Sequence, residues 1–408
     1  MAEATLREDG KGYRVYGSRW LILGAYMLVN MTIQTLWISY APVTTQSSLF
    51  YGVSELQIGF FSLAFMIVFI PLSIPVSWLI DKFGCKLVVA AGSILTGICG
   101  ILRGYAGPNY GFAMAMTIGM AIAQPAFLNS WTKVSALWFP ANERATAVGL
   151  LTLANLAGSA LGQVLTPVLI ESMPISQVQL YYGIAASVAA LLFVLFAREK
   201  PATPPDASAE KERALMLDGL KHALSLPSFR RFLLIAFIGL GIFNGVTTWI
   251  EGIVKPRGFD SKQAGVAVAV MMVAGIIGAV LIPALSDKKG KRIPYLILGL
   301  LGAIPGLIGL ALAPNYPLLL LSCFCLGFFL TSVSPTGTQY ASEIALPTPE
   351  GTSNGLISLA GQVSVVLVYV MEPLKRVTGS YTFPLLFFAA LLALSALLAR
   401  TLAEPEKG

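Results

Sequence analysis

The feature that most constrains this chain is a recurring stretch of about 20 apolar residues with almost no charge. Tyr182 to Ala197, Ala264 to Leu285 and Phe383 to Ala399 contain no charged residue, and turn signals or charge clusters bound each one. A helix rises about 1.5 Å per residue and satisfies its own backbone polar groups, so roughly 20 such residues cross a hydrocarbon core. Twelve segments of this kind are predicted, over 18–46, 56–80, 87–105, 111–136, 144–169, 178–197, 229–252, 263–285, 292–313, 317–341, 352–374 and 383–400. With 56% of residues hydrophobic and 12% charged, there is too little polar material to coat a soluble globule. The expected fold is an all-α membrane protein. The first segment has no small-residue cleavage site behind it and reads as a helix rather than a signal peptide.

An even number of crossings places both termini on one side. Sorting the 27 Lys and Arg by this topology puts 21 on that side and six on the other. The positive-inside rule then predicts cytoplasmic termini. The net charge of +7 follows from basic loops held at an anionic leaflet, so no nucleic-acid partner is expected. Cys85, Cys99, Cys323 and Cys325 show no metal spacing, and the one histidine, His222, falls in the central loop. No nucleophile–base pairing or phosphate loop stands in any soluble segment, so neither an enzyme nor a cofactor is expected. Short loops and a compact linker suggest a prokaryotic inner membrane.

The chain is internally repeated. Asp81-Lys82-Phe83-Gly84 matches Asp287-Lys288-Lys289-Gly290, and Asn109-Tyr110 matches Asn315-Tyr316, at an offset of 206. Thr146, Gly149, Leu150 and Leu153 recur as Thr352, Gly355, Leu356 and Leu359 at the same offset. The expected organisation is an N-terminal six-helix half over 1–197, a linker over 198–228 and a C-terminal six-helix half over 229–408. Within the linker, Leu215 to Leu224 is predicted to form a short surface helix. Six helices per half give copies of the same orientation, related by an axis along the membrane normal.

That arrangement, with the loop Asp81-Lys82-Phe83-Gly84-Cys85-Lys86 and its echo through Lys291 and Arg292, resembles the major facilitator carriers. The resemblance implies a central site between the halves and a gating role for the two loops. Asp81, Lys82, Gly84, Lys86, Asp287, Gly290 and Lys291 are the residues concerned. An aspartate at such a helix end can accept hydrogen bonds across the seam between halves, while glycine permits the tight turn. Further residues resemble the feline leukaemia virus subgroup C receptor-related carriers, associated with choline, ethanolamine and, in earlier assignments, haem. They are Phe50-Tyr51-Gly52-Val53-Ser54, Ile70-Pro71-Leu72, Trp78-Leu79, Trp138-Phe139 and Glu350-Gly351-Thr352-Ser353.

This resemblance implies substrate contacts at Trp37 and Gln362. An indole face is a strong partner for a quaternary ammonium, worth about 2 kcal/mol or more once water is excluded. The family's tyrosine in the seventh segment is replaced by Asn244 and its glutamine in the fifth by Leu156. With these, Trp249, Asn155 and Gln124 complete the candidate substrate contacts, and the cavity is expected to be polar on the C-terminal side and apolar on the other.

Charged residues inside the apolar segments are functional candidates. Lys133 is expected to pair with an acid such as Glu143 or Glu350, and Glu372 with Lys375 and Arg376. Glu251 either draws cations to the outer vestibule or reaches headgroup water. Gly158 and Gly162 predict close helix contact. The reading as a whole is a monomeric carrier of a small amphipathic, cationic solute, facilitative because no buried acid–histidine relay is present. The alternative is a proton-coupled antiporter or symporter of drugs or organic anions.

Overall fold

The structure, a computed structural model, describes residues 4–6, 12–205, 216–346, 348 and 350–404. Among the described residues, twelve helices are long and apolar enough to cross a membrane. Spans 1 to 6 are Arg19–Tyr51, Glu55–Phe83, Cys85–Tyr105, Tyr110–Trp138, Thr146–Leu169 and Ile175–Phe196. Spans 7 to 12 are Pro227–Arg257, Ser261–Lys289, Ile293–Leu312, Tyr316–Ile344, Thr352–Thr378 and Thr382–Ala399. All twelve expected segments are present. Several run a turn beyond the apolar stretch, because polar residues cap them outside it.

The caps repeat. Ser54 and Asp260 each open a capping box with the glutamine three residues on, Gln57 and Gln263. Asn109 and Asn315 each accept the third backbone N–H of the following helix at 3.0 Å. The Tyr110 hydroxyl donates to the Gln57 carbonyl at 2.8 Å, and Tyr316 donates to the Gln263 carbonyl at 3.4 Å. Each pair stands at the repeat offset, so the duplicated signal sets the same helix starts twice.

Below, "linker face" denotes the side carrying the loop between spans 6 and 7, and "far face" the other. At the linker face the loop between spans 2 and 3 turns at Gly84, with φ 92°. The Glu199 carboxylate, beyond span 6, accepts the backbone N–H of Cys85 at 2.9 Å and of Lys86 at 2.7 Å. The positive φ favours glycine here, and a Cβ would in addition displace the Glu199 carboxylate from its place. The second half repeats the device: Gly290 turns with φ 60°, and Glu404, beyond span 12, takes the Arg292 and Ile293 N–H groups. A carboxylate at a helix N-terminus is favoured by the helix dipole.

The expected linker helix is present over Met216–Ser225; Leu215 lies outside the described residues. It docks on the C-terminal half, where Thr348 donates to the Gly219 carbonyl at 3.1 Å. The arm ahead of span 1 contains a two-stranded hairpin, Ala4–Leu6 with Gly12–Arg14, that no sequence signal pointed to.

A cluster of polar contacts joins the two halves on the far side of mid-depth. Glu251 accepts the Thr45 backbone N–H at 2.9 Å, and Gln46 Nε2 lies 2.9 Å from the Ser261 hydroxyl. Gln163 donates to the Thr247 carbonyl at 2.8 Å. Lys375 pairs with Glu55 at 2.7 Å and Lys262 with Glu171 at 2.6 Å. Trp249 lies against Gly59 of span 2 so closely that any side chain there would meet the indole. Toward the linker face, by contrast, the equivalent helix surfaces at Gly149 and Thr152 and at Gly355 and Ser358 are exposed.

Candidate functional site

The middle of the bundle is built from broken helices. Span 1 interrupts its α-helix after Ile38, passes through the 3₁₀ turn Ala41–Val43 with Pro42, and resumes at Thr44–Tyr51. Span 4 breaks between Leu128 and Trp131, just past Pro125, and span 11 between Val363 and Val365. Proline removes a backbone donor and forces the ladder to rearrange, which explains the break in span 1 and the kink in span 4. At span 11 the Ser364 hydroxyl donates to the Gly361 carbonyl at 2.5 Å, competing with the ladder.

Near these breaks five side-chain amides sit at one level. Gln34, Gln124, Asn155, Asn244 and Gln362 lie on spans 1, 4, 5, 7 and 11, each within about one helical turn of its middle. None has a side-chain hydrogen-bond partner among the described residues, and Gln124 Oε1 and Asn155 Oδ1 are also fully enclosed. Asn354, near the linker-face start of span 11, also has a buried Oδ1 without a partner, whereas Asn30 and Asn129 are engaged. Asn30 donates to the Tyr26 carbonyl at 2.8 Å and accepts from the Trp131 indole at 3.0 Å. Asn129 donates to Ser77 Oγ at 2.9 Å. An enclosed amide group without a partner costs about 1–3 kcal/mol. Gln34 and Gln124 are buried, and Asn155, Asn244 and Gln362 half-buried.

Three of the five belong to the first half, so polarity is not confined to the C-terminal side as expected. The two copies diverged at different positions, and comparing Gln362 with Leu156 alone captured one of them. Trp37 is 8% exposed, with its indole N–H donating to the Ser62 carbonyl at 3.0 Å and Ser62 donating back to the Trp37 carbonyl at 3.1 Å. The ring is thus held in a fixed orientation beside Gln34. Trp249 is elsewhere: 1% exposed, it donates to the Val368 carbonyl at 2.8 Å and stacks near Tyr381. It plugs the seam on the far side of the amides.

The gating candidates stay within their own halves. Asp81 pairs with Lys133 at 2.7 Å, and Lys82 lies 4.7 Å from the Trp78 ring. Lys133 therefore takes Asp81 rather than Glu143, which Arg19 holds with two hydrogen bonds of 3.0 and 3.2 Å. Helix packing brings the end of span 2, with Asp81, to span 4. Glu350 opens the helix of span 11, and its side chain lies outside the described residues. Asp287 pairs with Arg292, which also grips Glu343 at 2.6 Å. Hydrogen bonding to Glu343 and then Asp287 pushes the Arg292 guanidinium up, so it stays charged at any working pH. Lys291 accepts the Ser286 hydroxyl on its carbonyl at 2.7 Å. Glu372 sits with Lys375 and Arg376, both at 3.5 Å, as expected, and also accepts Tyr381 at 2.6 Å.

Two residues were undervalued. Glu251 is 1% exposed and turned into the seam, where it accepts the Thr45 N–H from the other half and, within its own half, the Ser261 hydroxyl at 3.2 Å, with Lys255 at 3.8 Å. Arg103, near the end of span 3, is fully buried. A charge at the edge of an apolar segment was its one signal, and it looked like an ordinary helix-end anchor.

A closed bundle of twelve spans, with broken helices and unpartnered amides at mid-depth, is the build of a multi-pass membrane transporter rather than an enzyme. The chain belongs to the Major Facilitator Superfamily, whose pattern matches residues 22–369. It is 31% identical over 425 residues to Solute carrier family 49 member A3 of Danio rerio, covering 97% of this chain and 88% of that protein. To Choline/ethanolamine transporter FLVCR2 of Rattus norvegicus it is 26% identical over 381 residues, 88% of this chain and 69% of the relative. A bacterial homologue of the human lysosomal transporter Spinster, in an inward-facing and unoccupied conformation, shares the fold. Its TM-score is 0.77 at 16% identity, over 95% of this chain and 98% of that one.

Proposed function

We propose that this chain carries a small amphipathic cation, an amine or quaternary ammonium, across a plasma membrane by alternating access, as a monomer and without ion coupling. The observation that carries the reading is the set of five unpartnered amides at mid-depth, beside the fixed ring of Trp37. Amide oxygens offer acceptors and dipoles to a cation or its hydroxyl group, and an indole face adds a cation–π surface. The naming of FLVCR2 as a choline/ethanolamine transporter supports this solute class.

In this conformation the halves meet at the far face through Glu251, Gln163 and Trp249, while the surfaces at Gly149 and Gly355 are exposed. With the linker face cytoplasmic, this is an inward-facing state. Rocking the halves would break the far-face contacts and bring together the linker-face loops, where Asp81, Lys133, Glu143, Asp287 and Glu350 serve as latches. A potential of 100 mV, negative inside, favours inward movement of a monovalent cation by about 2.3 kcal/mol. The buried Glu251 favours the second reading, proton coupling, since a seam carboxylate would take up a proton as the seam closes around it and release it as the seam opens to water.

The test is uptake of radiolabelled choline and ethanolamine into proteoliposomes. Accumulation should follow an imposed potential and ignore a pH gradient, and Gln124→Leu with Gln362→Leu should abolish it. Uptake driven by a pH gradient alone would favour proton coupling, and no uptake of either amine would remove the solute class.

A further inference from the structure

Arg103 lies outside the amide cluster, inside the first half and toward the far face. Its guanidinium is enclosed by spans 1, 3, 4 and 6. One Nη2 donates to Gln179 Oε1 at 2.5 Å and to the Leu36 carbonyl at 3.1 Å, and Nη1 donates to the Thr117 hydroxyl at 3.4 Å. The Tyr40 ring stands 5.2 Å from its central carbon. No carboxylate is among these partners. The far-face acids are committed elsewhere: Glu55 to Lys375, Glu171 to Lys262, Glu251 to Thr45 and Ser261, Asp260 to its helix cap, and Glu372 to Arg376. Arginine keeps its proton in proteins, so the charge cannot be relieved by titration.

Donors also exceed acceptors here. Arg103 Nε and Gln179 Nε2 are enclosed and without partners, although both residues are completely buried. Nε–H points along the same edge of the guanidinium as the Nη2 that Gln179 takes. The Tyr40 and Tyr51 hydroxyls share one hydrogen bond of 2.8 Å, so one of their two hydrogens has no acceptor. Buried donors are almost always satisfied, and buried charges almost always paired. What the cluster lacks is an acceptor carrying one negative charge.

We propose that the Arg103–Gln179–Tyr51 cluster binds a small monovalent anion of the halide class. A single chloride balances one guanidinium and accepts from several N–H and O–H donors without a fixed geometry. A phosphate would bring more charge and more oxygens than the free donors match. By holding Arg103, which donates to the Leu36 carbonyl, the anion would brace the end of the helix that carries Gln34 and Trp37.

The experiment is thermal unfolding of the purified full chain at constant ionic strength, with sodium chloride exchanged for sodium gluconate. The melting temperature is expected to rise saturably with chloride. Arg103→Gln should remove that dependence, and Gln179→Leu should raise the half-saturating chloride at least tenfold. Should Arg103→Gln fail to fold, Gln179→Leu and Tyr51→Phe carry the test. Crystals grown with bromide should show an anomalous peak within hydrogen-bonding distance of Arg103 and Gln179. Equal melting in both salts, chloride dependence unchanged in the variants, or no bromide peak there would overturn the proposal.

Discussion

The two halves of this protein agree at their edges and disagree at their centre. At the far-face helix starts, Ser54, Gln57, Asn109 and Tyr110 do in the first half what Asp260, Gln263, Asn315 and Tyr316 do in the second. At mid-depth every unpartnered amide has an apolar counterpart at the repeat offset. Gln34 answers to Leu240, Gln124 to Leu330, Asn155 to Gly361, Asn244 to Ile38 and Gln362 to Leu156. Duplication supplied a symmetric frame, because each copy meets the same bilayer and needs the same caps and turns. For the small, unsymmetrical solute proposed above, a paired site would gain nothing from matching walls.

The sharpest way to break this comparison is at the seam plug. Trp249→Ala should destabilise the protein by about 3–5 kcal/mol, whereas Val43→Ala, at the equivalent buried position, should lose about 1–2 kcal/mol. Denaturation in detergent reads both, and equal losses would mean that the plug is not special to the second half. Next comes Glu251, whose repeat mate is its own partner, Thr45. Glu251→Ala should weaken far-face closure by about 1–3 kcal/mol, while Thr45→Ala, which keeps the backbone N–H, should leave it intact. The readout is labelling, by an impermeant thiol reagent, of a cysteine introduced at Phe60.

Transport probes the centre more finely. Gln362→Leu should lower uptake about tenfold, the scale of one lost hydrogen bond of about 1.4 kcal/mol, and Leu156→Ala should stay within about twofold of the parent. A similar loss from both would place the polar wall in both halves. The smallest effects test the symmetric frame: Ser54→Ala and Asp260→Ala should each destabilise by about 1 kcal/mol. A clear difference between them, measured by thermal unfolding, would show that the edges have diverged too.

Much of the frame was legible in the sequence. Apolar runs located the twelve spans, since a bilayer accepts a helix only as a nearly uncharged stretch of fixed length. The offset of 206 predicted matching loops, and Gly84 and Gly290 do turn with positive φ. Gly158 and Gly162 do let span 1 approach span 5, where Thr35 donates to the Gly158 carbonyl at 2.9 Å. Of the five unpartnered amides, Gln124, Asn155, Asn244 and Gln362 were candidates from the sequence, whereas nothing in the sequence marked Gln34.

Pairing was not legible. That Lys133 reaches Asp81, that Glu199 covers the loop at Gly84, and that Glu251 and Trp249 close the seam rather than face the solute all depend on which helices lie side by side. Arg103 shows the reason most plainly. In one dimension it is a basic residue near a helix end, like many that anchor at headgroups. In three it is a buried charge beside Gln179, which lies far along the chain on span 6. The sequence alone determined what each segment must be, because hydrophobic length and turn chemistry are local. Only the tertiary structure decided which polar groups are spoken for and which are left open to a guest, because satisfaction of a buried hydrogen bond is a property of neighbours in space.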